Sequence, residues 1–372
     1  MPRLSNRHIF FLLAAIWLAV QAILLYTNNI GTTNEAEKYI GQAYHLQQEH
    51  RLDDHKYIFY FLPILIIYTG LTLKLGLAFT VVVQLVANAI ATILFYKIAN
   101  CLFNSKSKSV LATLLYITFI PLQAWNSYLY TESLFYSLCI FFMYACIVMP
   151  NSQISTHITR GFILVLLVFT RPLGLLFIPV VCVFYFAKSS LPKTVKWLTV
   201  LVTPCVLYVL INFLYTSNAD MDILMPQKDG MVICYGGQIF ADGNLITQST
   251  QHPLNDLAFF ICHNPIYFSK LSGARLLSFF NLYRADYSIM HNVYLVICMV
   301  VLYGGLVVSA IKSALIKHPA FAYIFLPLLF ILCIGVMLQC DDYNSRFSMP
   351  LFPWVILLAT DGVFCLHKKR MA

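Results

Sequence analysis

The sequence predicts an all-α, polytopic helical membrane protein, and three observations point there. Of its 372 residues, 60% are hydrophobic and only 10% are charged, against about 45–50% and about 25% in a soluble domain. The mean hydropathy is +0.77. The apolar residues form long unbroken runs, unlike the short alternating segments of a lipid-facing β-barrel. A water-soluble enzyme is excluded, as are disordered, collagen-like and coiled-coil chains. The eleven cysteines are scattered, mostly within apolar runs, as at Cys139, Cys146, Cys182, Cys205, Cys298 and Cys333. They read as small buried hydrophobes, with neither a zinc site nor a disulfide framework expected.

A crossing needs about 20 apolar residues to traverse about 30 Å of hydrocarbon. Such runs occupy 8–27, 77–97, 109–125, 129–149, 195–215, 291–311, 319–338 and 347–366. The first ends in Tyr26-Thr27-Asn28-Asn29, with no small-residue cleavage site, so it is expected to stay as an anchor. The stretch 154–187 is expected to split at Thr170-Arg171-Pro172 into a short ascending helix and a descending one over 173–187, because proline disfavours helix at the residue before it. The apolar run 57–76 reads as re-entrant or interfacial, since a full crossing there would invert every later loop. The sum is ten crossings in a single domain over 1–372, with both termini cytoplasmic.

The charges test that topology. Its inner loops and tails hold Arg3, Arg7, Lys97, Lys106, Lys108, Arg160, Lys188, Lys193, Lys196, Lys312, Lys317, Lys368, Lys369 and Arg370, and no acid. Of the 15 acidic residues, all but Asp361 fall on the outer side or at an outer helix end. The net charge of +9 is therefore a topology signal, and no nucleic-acid partner is expected. Two outer loops are long enough to hold structure, 28–76 and 216–290. In the second, Asn255 to Arg284 alternates aromatic and basic residues, as expected of helices lying on a membrane surface.

Four motifs could carry chemistry. Asn34-Glu35-Ala36-Glu37-Lys38-Tyr39 follows the first crossing, as either ordinary loop charge or an acidic site. Glu132, in Tyr130-Thr131-Glu132-Ser133-Leu134-Phe135, is the only acid between Asp54 and Asp220. It reads equally as a helix start, favoured by the dipole, or as a functional group at membrane depth. Arg171, in Thr170-Arg171-Pro172-Leu173-Gly174, either snorkels to lipid phosphates or holds a bound lipid's phosphate with its forked donors. Arg346 follows Asp341-Asp342-Tyr343-Asn344-Ser345 and could simply pair with an aspartate at the surface. Together the motifs place carboxylates and guanidiniums at helix ends on one face. That suits proton abstraction from a hydroxyl and stabilisation of a leaving phosphate.

This arrangement resembles the GT-C superfamily of membrane glycosyltransferases, which includes protein O-mannosyltransferases, the aminoarabinose transferase of lipid A and GPI-anchor mannosyltransferases. Asn34-Glu35-Ala36-Glu37-Lys38-Tyr39 is similar to the family's Asp-Glu-Ala-x-x-Tyr motif, and Tyr130 to Phe135 to its second-loop acid followed by leucine or phenylalanine. Thr170-Arg171-Pro172-x-Gly174 resembles its Arg/Lys-Pro-x-Gly turn, and Ser345-Arg346-Phe347-Ser348-Met349-Pro350 its Arg-Tyr-x-x-Pro motif. His263-Asn264-Pro265 and the run after it look like the surface helix before the late crossings.

The resemblance implies a polyprenyl-phosphate-linked sugar donor and inverting transfer to an acceptor hydroxyl on a glycan, lipid or protein. Glu35 would be the base and Glu132 would hold the acceptor or a basic partner. Arg171 and Arg346 would bind the donor phosphate, with Asn34, Glu37, Tyr39 and Asp342 accessory. The family's leading aspartate is Asn34 here, which moves the base to Glu35, or to Glu37 in another register. No cofactor or metal is expected, because the acids are not clustered with histidine at ligand spacing. Short loops favour a bacterial inner membrane over the endoplasmic reticulum. The rivals are a polysaccharide polymerase or ligase using lipid-linked glycans, and a lipid-linked sugar flippase or transporter, which should carry charges midway along several helices.

Overall fold

The computed structural model describes residues 6–188, 192–216, 223–234, 244–250, 252–312, 315–342 and 344–370. Among them the fold is all-helical, with two isolated β-bridges and no strand. The helices are α1 (Asn6–Asn28), α2 (Glu35–Glu49), α3 (Phe61–Thr72), α4 (Ala78–Phe103), α5 (Lys106–Thr118), α6 (Ile120–Gln123), α7 (Glu132–Ile147) and α8 (Ile154–Thr170). There follow α9 (Phe177–Lys188), α10 (Lys193–Thr216), α11 (Met225–Lys228), α12 (Pro253–His263), α13 (Pro265–Phe280), α14 (Ile289–Lys312), α15 (Leu326–Leu338) and α16 (Phe352–Arg370).

Five helices among the described residues are long and apolar enough to cross a membrane: Arg7–Asn28, Ala78–Phe103, Lys196–Phe213, Ile289–Lys312 and Phe321–Leu338. This is half the ten expected, and the reason is length. The run 109–125 is broken into α5 and a following helical stretch bent by 60°. Pro121 stands in the first turn after the break, where its ring cannot continue the preceding helix. Counted as one span, this pair would make six. The segments Glu132–Ile147, Ile154–Thr170, Pro172–Lys188 and Met349–Cys365 are apolar but have no more than 17 residues, about 26 Å of helix at most. Helix α3, within the run read as re-entrant or interfacial, has 12 residues, about 18 Å.

The chain divides into two compact units. The first comprises residues 1–174, 300–320 and 352–372. In it α4 packs on α5 and α7, α7 on α8, and α5 on α1 and α16. Its apolar helices are joined by neutral polar groups. Trp17 Nε1 donates to Asn88 Oδ1 at 2.8 Å, and Gln21 Nε2 to Gln123 Oε1 at 2.9 Å. Such hydrogen bonds hold helices together where burial from water supplies little drive between them. A Cβ on Gly362 would lie 2.0 Å from the Gly305 carbonyl oxygen, so only glycine allows that backbone approach. Asp361, the one acid off the outer side in the sequence reading, pairs with Lys108 of α5. The same ammonium lies 5.7 Å from the Phe103 ring centre and 5.6 Å from that of Phe364.

Arg160 is not the inner-loop charge expected. It is buried within α8, donating from Nε to the Ala145 carbonyl at 2.9 Å and from Nη2 to Asn151 Oδ1 at 2.6 Å. The last carbonyls of a helix have no partner within it, and this guanidinium satisfies one of them at the end of α7.

The second unit comprises residues 175–299 and 321–351. Its α10 packs on α9 and α12, and its α13 on α15. One apolar core gathers Leu224, Val232, Leu257, Phe260, Tyr267 and Leu271. Arg275 of α13, expected among charges at a membrane surface, is fully buried. Its guanidinium donates to the carbonyls of Met231 (2.8 Å), Met337 (3.0 Å) and Pro226 (2.8 Å), and to Gln227 Oε1 (2.8 Å). It thereby ties loop ends to the late helix. Burial lowers its pKa to about 10, which leaves it charged at neutral pH.

A disulfide joins Cys234 to Cys340 across 106 residues, with Cα atoms 5.3 Å apart. This corrects the expectation of no disulfide. A parallel bridge between Ile233 and Asp341 runs alongside, with Cys234 N–H donating to the Asp341 carbonyl and Asp341 N–H to that of Val232, both at 2.8 Å. Cys234→Ser or Cys340→Ser is expected to lower stability by about 2–4 kcal/mol, since the bond restricts the unfolded chain. The double variant should lose no more than either single one. Thermal unfolding in detergent, followed by circular dichroism, checks this; additive losses would show that the two thiols act separately.

Candidate functional site

The site in the first unit is assembled by a short docking of two loops. Helix α1 ends at Asn28, and the chain turns through Asn29 in the left-handed region (φ 54°). Gly31 N–H then donates to the Ser127 carbonyl at 2.9 Å, and Leu129 N–H to that of Gly31 at 3.0 Å. A Cβ on Gly31 would come within 2.2 Å of the Tyr128 ring, so the close pairing requires glycine. The Tyr130 hydroxyl donates to the Thr33 carbonyl at 3.2 Å. The starts of α2 and α7, and with them Glu35 and Glu132, are thus fixed by one junction.

Glu132 opens α7 and is fully buried, and the Thr131 hydroxyl donates to its Oε2 at 3.2 Å. Its Oε1 accepts from Arg171 Nη1 in an ion pair in which Arg171 is 8% exposed. Arg171 leaves α8 in extended conformation, and Gly174 N–H closes a turn onto its carbonyl at 2.8 Å. A Cβ at Gly174 would sit 2.3 Å from the Leu167 carbonyl oxygen. The Arg-Pro-x-Gly turn therefore needs its glycine to fold back on α8 and present the arginine at the helix end.

Tyr39 of α2 lies within this group. Its ring centre is 5.4 Å from that of Tyr60. Its phenol is held well above the ordinary tyrosine pKa, first by burial and then by Tyr60, Glu35 and Glu132, while Arg171 pulls it down. One buried hydroxyl thus feels both carboxylates and the guanidinium. Glu35 stands one turn before Tyr39, hence on its face of the helix, and is half-buried. Glu37 and Asn34 are exposed. Asn34 adopts φ 58° and ψ −119° without a side-chain cap bond, a backbone conformation that glycine takes most readily.

In the second unit Arg346 is held by both carboxylate oxygens of Asp342, from Nε at 2.7 Å and Nη2 at 2.6 Å. Asp342 is buried, so the weak surface pairing considered for this arginine is replaced by an oriented, sheltered one. Arg284, expected at the end of the aromatic–basic stretch on the membrane surface, is instead buried beside it. Its Nη2 donates to Asp341 Oδ2 and Ser345 Oγ, both at 2.9 Å, and its Nη1 to the Asn281 carbonyl at 2.7 Å. Its side-chain partners stand 57 and 61 residues away, so no local spacing marks them.

Burial pushes the Asp341 carboxyl up to about 6, against the lowering pull of Ser278 and Arg284. The folded pKa lies above the ordinary value of 3.8, so the folded state binds this proton more tightly than the unfolded one. Its contribution is greatest below pH 4 and is lost as pH rises towards 6. Melting temperatures of the unaltered protein and of Asp341→Asn should therefore diverge across that window, with the unaltered protein losing ground as pH rises. Parallel curves would refute the shift.

The expected residues fall into two groups, Glu35, Tyr39, Glu132 and Arg171 in one unit and Asp342 with Arg346 in the other. Among the described residues no three His, Cys, Asp or Glu side chains form a metal-binding group. Compared with protein-family models, curated proteins and solved structures, the chain matches none.

Proposed function

We propose that the protein is a membrane glycosyltransferase that moves a sugar from a polyprenyl-phosphate donor to an acceptor hydroxyl on the non-cytoplasmic face, with inversion. The carrying observation is the buried Glu132–Arg171 ion pair at the start of α7, with Glu35 near enough that all three charges act on the buried Tyr39 phenol. Glu35 takes the proton of the incoming hydroxyl as its oxygen bonds to the anomeric carbon. The bond from that carbon to the donor phosphate breaks on the opposite face, and the electron pair leaves with the phosphate. Arg171 stabilises the charge that develops there. Glu132 orients the guanidinium from one edge. In the second unit, Asp342 fixes the plane of Arg346, the other arginine to which the resemblance gives a phosphate-binding role.

The orientation draws support from two independent features. Basic residues crowd the loops assigned to the inner side, and the Cys234–Cys340 disulfide belongs to an oxidising compartment. In a bacterial inner membrane that is the periplasmic side. The test is turnover: purified protein in nanodiscs, supplied with prenyl phosphates carrying single hexoses, should release prenyl phosphate when an acceptor glycan or lipid is present. A folded protein that releases none across a panel of common hexoses and acceptors would end this reading.

A further inference from the structure

Helix α4 carries a polar stripe at one-turn spacing, Thr80, Gln84, Asn88 and Thr92, and all four are buried. Its lower half is satisfied. Asn88 Oδ1 accepts from Trp17 at 2.8 Å, and the Thr92 hydroxyl donates to the Asn88 carbonyl at 2.9 Å. The upper half is not. Thr80 Oγ1 and Gln84 Oε1, each on a residue 1% exposed, have no hydrogen-bond partner. Buried polar atoms are nearly always paired, and two orphans one turn apart on one face lie close enough for a single small group to serve both.

Their place and chemistry say what that group is. Gln84 Nε2 donates to the Tyr130 carbonyl at 3.1 Å, two residues before Glu132. That bond also fixes the amide, because turning it over would set oxygen against oxygen. Gln84 Oε1 is therefore an acceptor awaiting a donor, beside a threonine hydroxyl that both donates and accepts. The phosphodiester of a lipid-linked sugar has no proton to give the amide oxygen at neutral pH, and a cation would leave the threonine's proton unused. A neutral hydroxyl satisfies both. We infer that Thr80 and Gln84 form an uncharged subsite for a hydroxyl of the sugar bound beside Glu132 and Arg171, an inference that rests on the proposed transferase function and assigns its sugar-reading residues.

The test measures dissociation constants on the full chain in nanodiscs, for farnesyl phosphate and for farnesyl phosphates carrying glucose, mannose or galactose. In the unaltered protein at least one hexose should bind more tightly than the bare phosphate. Thr80→Val, which keeps the side chain's shape, should erase that advantage by roughly three- to tenfold, the effect of one neutral hydrogen bond. Thr80→Ser, which restores a hydroxyl, should recover it. Equal binding of bare and sugar-bearing probes, or a sugar advantage that survives in Thr80→Val, overturns the subsite but leaves phosphate recognition standing. A lower melting temperature of unliganded Thr80→Val with the sugar advantage intact assigns the pair to a buried water, and also overturns it. Failure of every probe to bind removes the proposed function together with the subsite.

Discussion

Glu132→Ala is expected to destabilise the protein by about 3–5 kcal/mol, because it removes the buried carboxylate paired with the Arg171 guanidinium. Arg171→Ala should cost a similar amount, since it removes the guanidinium paired with the fully buried carboxylate. The discriminating result is the double variant. Removing both partners loses their shared interaction only once, so Glu132→Ala with Arg171→Ala should be less damaged than the sum of the two single losses. Thermal unfolding of the four proteins in one detergent gives the coupling directly. A coupling near zero would mean that the contact contributes nothing, and that Glu132 is only a helix start. Glu132→Gln is milder in shape but equally removes the charge, and should show the same sign.

The second large effect concerns activity with little change in stability. Glu35→Gln preserves the size and the helix start of α2 but cannot accept a proton, so transfer should fall by about 10²–10⁴-fold, the usual contribution of a positioned general base. Melting temperature and circular dichroism should be close to those of the unaltered chain, since Glu35 is only half-buried. The companion Glu37→Gln should retain activity, because Glu37 points to the exposed side of the helix. Full activity in Glu35→Gln, or the loss appearing in Glu37→Gln instead, would place the base elsewhere. Both outcomes are read in one assay of prenyl phosphate release.

What could be read from the chain depended on how far a residue's partner lies along it. The long apolar runs became helices because their pattern is local: 8–27 appears as α1 and 291–311 within α14. Thr131-Glu132 could be recognised as a helix start for the same reason, whereas Glu35 to Tyr39, read as an outer-loop motif, opens α2. The site's ion pair was half legible. A basic partner is one of the two roles the resemblance implies for Glu132, the acceptor being the other, and the 39 residues separating it from Arg171 conceal which arginine supplies it. The Cys234–Cys340 bond spans 106 residues and has no signature in spacing. Arg160 looked like a topology charge because it follows a polar turn, yet its long stem reaches back to the α7 carbonyls. The break after α5 was present in the sequence as Pro121, hidden inside an otherwise continuous apolar run.

The first unit is discontinuous in sequence, and this bears on how the protein is made. Lys108 leaves the ribosome 253 residues ahead of Asp361, its partner. At about 5–20 residues per second, that ammonium waits roughly 13–50 s for its carboxylate. Throughout that interval the whole second unit is synthesised, before the carboxylate that pairs with the start of α5 exists. The packing of α5 on α16 therefore forms only after the second unit has been made.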